Sequence, residues 1–280
     1  MADTNQRLNT ITTDGADLAS ESNWANLKKA EAAGYSYEVA PTGGGQYIGM
    51  NFRRAPFDDQ RARRAVALAV DPDAINAAVY NGEGKVPQTL FEEGSPFFSD
   101  IALGPTDHAA AQELFDELAA EGKPVTFTFM SYPTTESRTV AEALQAQLSV
   151  FDNVEAAVEV VDYSTATARA VNHDFDMFIS GVVIQDPDIP LWSELHSDSS
   201  GNFMGIDDAD LSAALDAGRI ATSVEDRRAA YETVQERLAE LTPGVWYYRA
   251  APAVVSNGHV HGVSLYGLGS VLPEELWLTE

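Results

Sequence analysis

Two histidines with one residue between them, His259 and His261, have the spacing of a small metal site. In a β-strand this spacing places both imidazoles on one face, where their ring nitrogens could bind zinc. A solvent-facing strand edge produces the same pattern without any ligand, because alternate residues of such a strand are commonly polar. We favour this second interpretation and predict no metal site.

Two groups of acidic residues could bind a hard cation through their carboxylates. One is Asp186 with Asp188, and the other is Asp207 with Asp208 and Asp210. Turns and helix N-termini also attract carboxylates, because the free backbone N–H groups there need acceptors. That local explanation accounts for both groups, so we predict a turn and a helix start and no cation site.

The patterns that identify catalytic and cofactor sites are incomplete in this chain. Gly262-x-Ser264-x-x-Gly267 does not have the spacing of a nucleophile elbow. Gly267-x-Gly269 lacks the third glycine and the helix of a dinucleotide site. The absence of cysteine excludes disulfides, thiol catalysis and cysteine-ligated zinc. We therefore predict no catalytic residue and no cofactor.

The elements that would position these residues alternate between helix and strand. Apolar periodicity and capping residues predict strands at 125–130, 154–161, 175–184, 244–248 and 253–256, and helices at 106–120, 135–150, 165–171, 207–218 and 223–241. Thr106 is the expected cap of the first of these helices, and Ser223-x-x-Asp226 a capping box for the last. That last helix should bury Val224, Tyr231, Val234, Leu238 and Leu241. Such alternation favours an α/β fold with a parallel or mixed sheet covered on both faces. Gly43-Gly44-Gly45 is the expected hinge or linker.

The net charge of −26 is the strongest feature of the composition. Acid is spread along the whole chain, and Lys28, Lys29, Lys85 and Lys123 are its lysines. This pattern indicates either a surface for a cationic partner or adaptation to concentrated salt, where screening shortens repulsion to about 3 Å at 1 M. We favour salt adaptation. Nucleic acid is disfavoured as a partner, because phosphate binding requires clustered basic charge.

No segment of the chain has the length and polarity of a membrane span. The most apolar stretch, Phe178 to Ile184, is as long as a strand. The start of the chain is polar, and we expect neither a signal peptide nor a lipid-anchored cysteine there.

Residues 46–82, QYIGMNFRRAPFDDQRARRAVALAVDPDAINAAVYNG, contain an unusual ordered series of neighbours. An aromatic strand ends at Asn51-Phe52, Pro56-Phe57-Asp58-Asp59 follows, and Asp71-Pro72 separates two short helices. This series resembles the extracellular solute-binding proteins of family 5, the peptide- and nickel-binding receptors of ABC importers. Together with the acidic composition, it resembles a haloarchaeal member of that family.

The resemblance continues through Phe175-Asp176-Met177, Asp186-Pro187-Asp188 and Trp192. It implies a periplasmic-binding-protein-like α/β fold of type II, cluster C, in which two lobes enclose a ligand. On this basis residues 1–45 are a remnant of the first lobe, 46–256 the second lobe, and 257–280 a return to the first. The flanking segments would then add strands to a sheet absent from the chain. Their apolar side chains, such as those of Leu8, Ile11, Trp24 and Trp277, would be partly exposed.

Ligands of α/β lobes meet the loops beyond the carboxyl ends of the strands. This rule points to six candidate ligand-binding residues: Ser131, Tyr132, Pro133, Val182, Val183 and Asp186. In peptide-binding relatives the second of these loops resembles G-W-x-x-D, whose acid pairs with the peptide amino group. This chain keeps Gly181 but has Val182-Val183-Ile184 after it, so the expected acid is absent. We interpret Trp192 and Trp246 as packing residues.

These observations predict the solute-binding component of an ABC importer, or a C-terminal fragment of one, which captures a peptide-like or other small solute. Its expected partners are the solute, the permease subunits and a missing N-terminal lobe, and its expected location is the cell surface. Two alternatives stay open. An acidic structural domain would bind no solute, and a hydrolase would need a nucleophile–base pair.

Overall fold

Ten α-helices are distributed along the chain in a computed structural model that describes residues 4–13 and 15–279. In chain order they are α1 Thr4–Thr12, α2 Trp24–Ala32, α3 Gln60–Ala69, α4 Pro72–Tyr80, α5 His108–Ala120, α6 Thr135–Leu148, α7 Tyr163–Val171, α8 Asp188–Leu195, α9 Ala209–Ile220 and α10 Val224–Leu241. A short 3-10 helix, Pro273–Glu275, lies near the end.

Twelve strands accompany them in the same described residues. They are β1 Leu18–Glu21, β2 Ser36–Val39, β3 Gly43–Met50, β4 Val125–Ser131, β5 Val154–Val160, β6 Met177–Ile184, β7 Gly244–Tyr248, β8 Ala253–Ser256, β9 Val260–His261, β10 Leu265–Tyr266, β11 Ser270–Val271 and β12 Trp277–Leu278. The predicted strands from residue 125 onward are all present, with ends that differ by at most two residues.

The main sheet has five strands in the order β5-β4-β6-β3-β7. β4 is parallel to both β5 and β6, whereas β3 is antiparallel to β6 and β7. The helices α6 and α7 connect the parallel strands, because parallel neighbours need a crossover. The predicted mixed sheet is therefore confirmed.

Each face of this sheet has its own apolar core. On one face the buried side chains include Phe127 of β4, Val66 of α3, Ile75 of α4, Phe115 of α5 and Leu144 of α6. The other face is covered mainly by α8, α9 and α10. Its buried side chains include Tyr47, Phe178, Leu191, Leu211 and Tyr231. Burial on both faces explains why β6 reads as a nearly continuous apolar run.

Acidic residues begin several of the helices. Asp59, Asp71, Asp162 and Asp208 each accept a backbone N–H at the start of a helix. Asp107 also does so for α5, through Ala110 N at 3.0 Å. The prediction of Thr106 as that cap is wrong, since its hydroxyl instead donates to the Val70 carbonyl at 3.3 Å.

The long helix α10 has the predicted capping box. Ser223 Oγ accepts the Asp226 backbone N–H at 3.0 Å and donates to the Asp226 carboxylate at 2.8 Å. Tyr231, Val234 and Leu238 are buried as expected, but Val224 is 57% exposed. At the first helical turn Val224 lies beyond the covered stripe, so its predicted burial is wrong.

A second sheet, with the order β1-β8-β2, lies outside the main one. Both outer strands pair antiparallel with β8, from Leu18↔Ser256 to Glu21↔Ala253 and from Ser36↔Ser256 to Val39↔Ala253. The expectation that the first 45 residues lack a sheet within this chain is wrong. Ile11, Leu27 and Val255 form a small core beneath it, and Ile11 is fully buried. Trp277 is 55% exposed, as predicted for that tail residue.

Gly43, Gly44 and Gly45 are not a free linker, because they form the first residues of β3. They pair with Ile184, Val183 and Val182 of β6. A Cβ on Gly44 would lie 2.2 Å from the Val182 carbonyl oxygen, and Gly44 has a φ of +67°. Glycine is therefore required at position 44 by the backbone conformation and by the close approach of the neighbouring strand. The segment predicted as a hinge or linker is instead the paired start of β3.

Candidate solute-binding site

The pairing of β6 with its two neighbours is unequal in length. On one side it pairs with β3 along its whole course, from Met50↔Met177 to Gly43↔Ile184. On the other side it pairs with β4 only at Phe129↔Met177 and Met130↔Phe178. Among the described residues, the edge of β6 from Ile179 to Ile184 therefore has no strand partner on the β4 side. Such an edge offers backbone donors and acceptors to an added extended chain.

A cavity of about 430 Å³ lies along this open edge. Its lining residues come from β3, β6 and three connecting segments: Gly45, Gln46, Tyr132, Phe178, Ile179, Ser180, Gly181, Val183, Phe203 and Ala250. Its volume is within the range of small-molecule sites. Of the six predicted ligand-binding residues, Tyr132 and Val183 line this cavity.

Tyr132 is the aromatic residue at the centre of the predicted site. It follows β4 directly and is partly buried, and its ring stacks on Tyr163 with centroids 5.2 Å apart. Its hydroxyl lies 3.5 Å from the Ile179 carbonyl oxygen of the open edge. Burial, with a further contribution from Tyr163, raises the pKa of this hydroxyl, so Tyr132 is a neutral donor near pH 7.

The residues on either side of Tyr132 have different surroundings. Ser131 is fully buried, and its hydroxyl lies 3.0 Å from that of Ser137. Ser137 also accepts the Tyr132 backbone N–H at 2.9 Å. Ser131 therefore fixes the loop and cannot reach a solute directly. Pro133 is exposed.

The two valines of β6 point to opposite faces, as the period of a strand requires. Val183 lines the cavity, whereas Val182 is buried in the core below the sheet. The structure therefore separates these two predicted ligand residues, and only Val183 borders the cavity.

Asp186 lies apart from the open edge. Its carboxylate forms a two-pronged ion pair with Arg227, with N–O distances of 2.9 and 2.7 Å. It also accepts the Asp188 backbone N–H at 3.0 Å, and the pKa of Asp186 is lowered mainly by Arg227. Asp186 borders a neighbouring cavity of about 390 Å³ together with Val183, Ile189 and Leu268. Its carboxylate is already satisfied by a turn and a helix.

Sequence reasoning missed two polar residues that line the cavity, Gln46 and Ser180, and also Glu194, which accepts the Ser180 hydroxyl. Tyr247 donates to Gln46 Oε1 at 2.6 Å, which leaves the Gln46 amide nitrogen without an acceptor among the described residues. Ser180 lines the cavity and donates to Glu194 Oε1 at 2.7 Å. Gln46 and Ser180 alternate with apolar strand positions, a signal that could have identified them. Glu194 belongs to α8, and nothing in its local sequence indicates where it points.

A larger cavity of about 680 Å³ lies elsewhere, lined by residues of the α3 start and of the turn before β4, including Asp59, Leu118 and Lys123. It lies at the amino end of β4, whereas Tyr132 follows the carboxyl end. Because solutes of α/β lobes meet the carboxyl ends, we take the smaller cavity as the candidate site.

The other side chains that were candidates for metal binding have local partners. His259 Nε2 lies 2.8 Å from Asp17 Oδ1, and His261 stacks on Trp277. Asp208 caps α9 and pairs with Arg237. Within residues 4–13 and 15–279, no group of three or more histidine or acidic side chains is arranged to hold a metal ion.

The two tryptophans singled out in the sequence pack against neighbours. Trp246 is buried and stacks on Tyr47 with centroids 4.6 Å apart. Trp192 stacks on His196 and donates to Asp216 at 3.0 Å. Neither side chain borders the cavity at the open edge.

The mixed sheet with helices on both faces and a cavity at the open edge of β6 is a periplasmic-binding-protein-like α/β fold, as comparison with solved structures shows. Solved structures of this class cover the whole chain. NikA from Brucella suis, in complex with Fe(III)-EDTA, superposes with a TM-score of 0.80 at 23% identity, over 100% of this chain and 61% of that one. The oligopeptide-binding protein AppA from Bacillus subtilis, in complex with a nonapeptide, gives 0.78 at 19%, over 100% and 59%. The predicted periplasmic-binding-protein-like fold is thus confirmed.

The family follows from sequence comparison. Residues 1–203 match the model for bacterial extracellular solute-binding proteins, family 5 (middle), and the chain belongs to that family. Di/tripeptide-binding protein 3 of Pseudomonas aeruginosa (strain UCBPP-PA14) is 26% identical over 241 residues, which are 81% of this chain and 43% of that protein. The chain spans about two fifths of the length of the curated relatives it matches.

Within the described part of the chain, none of the helices combines the length and the apolarity needed to cross a bilayer.

Proposed function

We propose that this chain provides one lobe of a solute-binding protein that serves an ABC importer at the cell surface. One observation supports this function above the others: a small cavity bordered by the unpaired edge of β6, Tyr132 and Gln46. An extended solute could pair with the strand edge and contact the Tyr132 ring. Because such binding needs no bond-breaking group, we propose no catalysis.

The proposed solute is a short peptide or a compound of similar polarity. Backbone amides of a peptide match those N–H and C=O groups between Ile179 and Ile184 that point away from β3. The free amide nitrogen of Gln46 could donate to a solute carbonyl or carboxylate. This class of solute agrees with the names of two similar proteins, a di/tripeptide-binding protein and an oligopeptide-binding protein in complex with a nonapeptide.

The test is a nuclear magnetic resonance titration of the isotope-labelled chain with the dipeptide alanyl-phenylalanine. We expect the backbone amide signals of Tyr132 and Ile179 to Ile184 to shift together, while those of the distant strand pair β9 and β12 stay in place. If no amide along the open edge moves at high dipeptide concentration, the proposed site is wrong. The alternative of an acidic structural domain would then be favoured.

We further propose that tight binding requires a second lobe that closes over the cavity, since closure expels water and adds contacts. Calorimetric titration would then detect weak or no heat for the chain alone. Addition of a complementary N-terminal fragment should restore measurable affinity. Micromolar binding by the chain alone would contradict this requirement, but it would leave the proposed site intact.

A further inference from the structure

Among the described residues, none that lines the cavity at the open edge of β6 is charged, although the chain has a net charge of −26. Gln46 and Ser180 are its neutral polar residues, and the rest are apolar, aromatic or glycine. Three other cavities of similar or larger volume each include acidic side chains, among them Asp59, Glu92 and Asp186. The lack of charge is therefore a property of this cavity and not of the protein surface in general.

The polar side chains at the cavity already have partners within the protein. The Ser180 hydroxyl donates to Glu194 at 2.7 Å, and the Gln46 side-chain carbonyl accepts from Tyr247 at 2.6 Å. Burial raises the pKa of Tyr132, which keeps its hydroxyl neutral near pH 7. None of the described lining residues therefore offers a counter-charge to an ionised group of a solute.

The walls of the cavity are formed before a solute arrives. Phe203 lines it from the segment between α8 and α9, and the adjacent Asn202 fixes that segment. The buried Asn202 amide donates to the carbonyls of His196 at 3.2 Å and Ile206 at 2.8 Å, and it accepts the Ile206 backbone N–H at 3.0 Å. Val183 lines the cavity from β6, is half-buried, and belongs to none of the apolar cores of the described residues.

The composition of the lining determines which solute groups gain by entering. An ionised side chain would lose hydration that no charged group of the lining replaces, and this loss is unfavourable. An apolar side chain gains in proportion to the area that it removes from water. The negative field of the whole chain attracts cations, but salt screens that attraction over about 3 Å at 1 M. In concentrated salt the cavity should therefore discriminate against both signs of charge.

We propose that this cavity receives an uncharged, apolar side chain of the solute and rejects acidic and basic ones, and that Val183 is the residue at which this selectivity is set. The inference rests on the proposed function and narrows its chemical class to peptide-like solutes with an aromatic or aliphatic side chain.

The experiment compares four dipeptides that differ only in their second side chain: alanyl-phenylalanine, alanyl-leucine, alanyl-lysine and alanyl-glutamate. Each is titrated into the labelled full chain in 1 M KCl, and the dissociation constants are taken from the amide shifts along the open edge. We expect the two apolar dipeptides to bind about ten-fold more tightly than either charged one. A cavity that responded only to the net charge of the protein would favour the lysine dipeptide and reject only the glutamate one.

Variants of opposite charge test whether the solute side chain lies beside Val183. Val183→Asp should bind alanyl-lysine about five-fold more tightly than the wild type does, and Val183→Lys should do the same for alanyl-glutamate. Val150→Asp and Val150→Lys are the matched controls, since Val150 is 76% exposed and follows the far end of α6, before β5 begins. These two variants should leave the order of the four affinities unchanged.

Equal affinities for the four dipeptides in the wild type would overturn the inference while leaving the proposed site valid. Absence of any shift along the open edge with all four would overturn both. Val183 variants that behave like the Val150 variants would show that Val183 does not set the selectivity. The wild-type series decides between apolar and charged side chains whether or not the Val183 variants fold.

Discussion

Tyr132 is the side chain that most directly connects the fold with the proposed binding site, since it follows β4 and borders the cavity. Its backbone N–H is held by Ser137, while its ring lies against Tyr163, which is 57% exposed. The Tyr132 ring therefore lies at the margin of the core that contains Tyr47 and Phe178, partly buried against it. A side chain placed in this way can contribute to a ligand contact and contributes modestly to packing.

Replacement of Tyr132 by Ala should weaken dipeptide binding about ten-fold, which corresponds to about 1.4 kcal/mol. The free energy of unfolding should fall by no more than about 1 kcal/mol, because the loss is mainly that of one aromatic pair. Binding shifts and thermal melts of the same protein measure the two effects. Tyr132→Phe is the control, since it keeps the ring and loses the hydroxyl. Equally large losses in affinity and stability after Tyr132→Ala would identify Tyr132 as a core residue.

Asp186 illustrates a residue whose charge serves the fold. Its pKa is lowered from 3.8, first by Arg227, so the ion pair stabilises the native state above about pH 4. This contribution is lost as the pH falls through the lower pKa of the folded state. Because the carboxylate is largely exposed, the pair contributes at most about 1 kcal/mol.

Asp186→Asn should therefore lower the melting temperature slightly at pH 7, and the difference from wild type should vanish in acid, once Asp186 is protonated in both states. The dissociation constant for the dipeptide should not change, since Asp186 is occupied by Arg227. Melting curves across pH and one titration at pH 7 check both statements. A large loss of affinity would return Asp186 to the list of ligand residues.

At the scale of the elements, β3 is the strand that follows β2 of the second sheet, pairs within the main sheet and borders the cavity. It begins with three glycines against β6, continues with Gln46 at the cavity, and then enters the main core at Tyr47. The close approach of β3 to β6 depends on Gly44, whose missing side chain leaves room for the Val182 carbonyl. The open edge of β6 exists because β4 ends its pairing at Met130.

Gly44→Ala should destabilise the protein by about 2 to 4 kcal/mol, through a left-handed backbone and a clash with neighbouring backbone. Gly82→Ala is a matched control, with a φ of +77° and no atom within 4 Å of the added Cβ. That variant should lose only about 1 kcal/mol, the conformational term alone. Chemical denaturation measures both values. Similar losses in the two variants would show that β3 and β6 can shift enough to accommodate a side chain at position 44.

At the scale of the whole molecule, the most pronounced property is the excess of negative charge. The chain has 43 acidic residues against 17 lysines and arginines, so most carboxylates cannot find a basic partner. The arginines are concentrated in ion pairs; Arg61, for example, lies within 3 Å of Asp59, Glu117 and Glu121. We propose that the remaining negative surface is an adaptation to concentrated salt, in which repulsion is screened.

The melting temperature should accordingly rise steeply between about 0.1 and about 3 M KCl, because the Debye length falls from about 10 Å to less than 3 Å. Differential scanning calorimetry over this range is the measurement. A parallel series in sucrose, which carries no charge, separates screening from general exclusion effects. A flat profile in KCl would contradict salt adaptation and favour a cationic partner.

Local sequence was sufficient for most of the elements. The alternation of Val125 to Met130, the Asp71-Pro72 boundary and the Ser223 capping box depend on residues within a few positions of one another, and each appears as predicted. Tyr132 was chosen because it follows the carboxyl end of a strand, and it does border a cavity, while its role in binding stays a prediction. What remained beyond reach depended on partners distant in sequence.

Only the tertiary structure brought Glu194 beside Tyr47, 147 residues earlier, and joined β8 to β1 across more than 200 residues. It also turned Val182 into the core and left Val183 at the cavity, a choice set by which face of the sheet each helix covers. Periodicity records that a side chain is inside or outside, but not what lies opposite. For that reason the chain's sequence determined its elements and its family resemblance, while long-range packing decided which residues line the cavity.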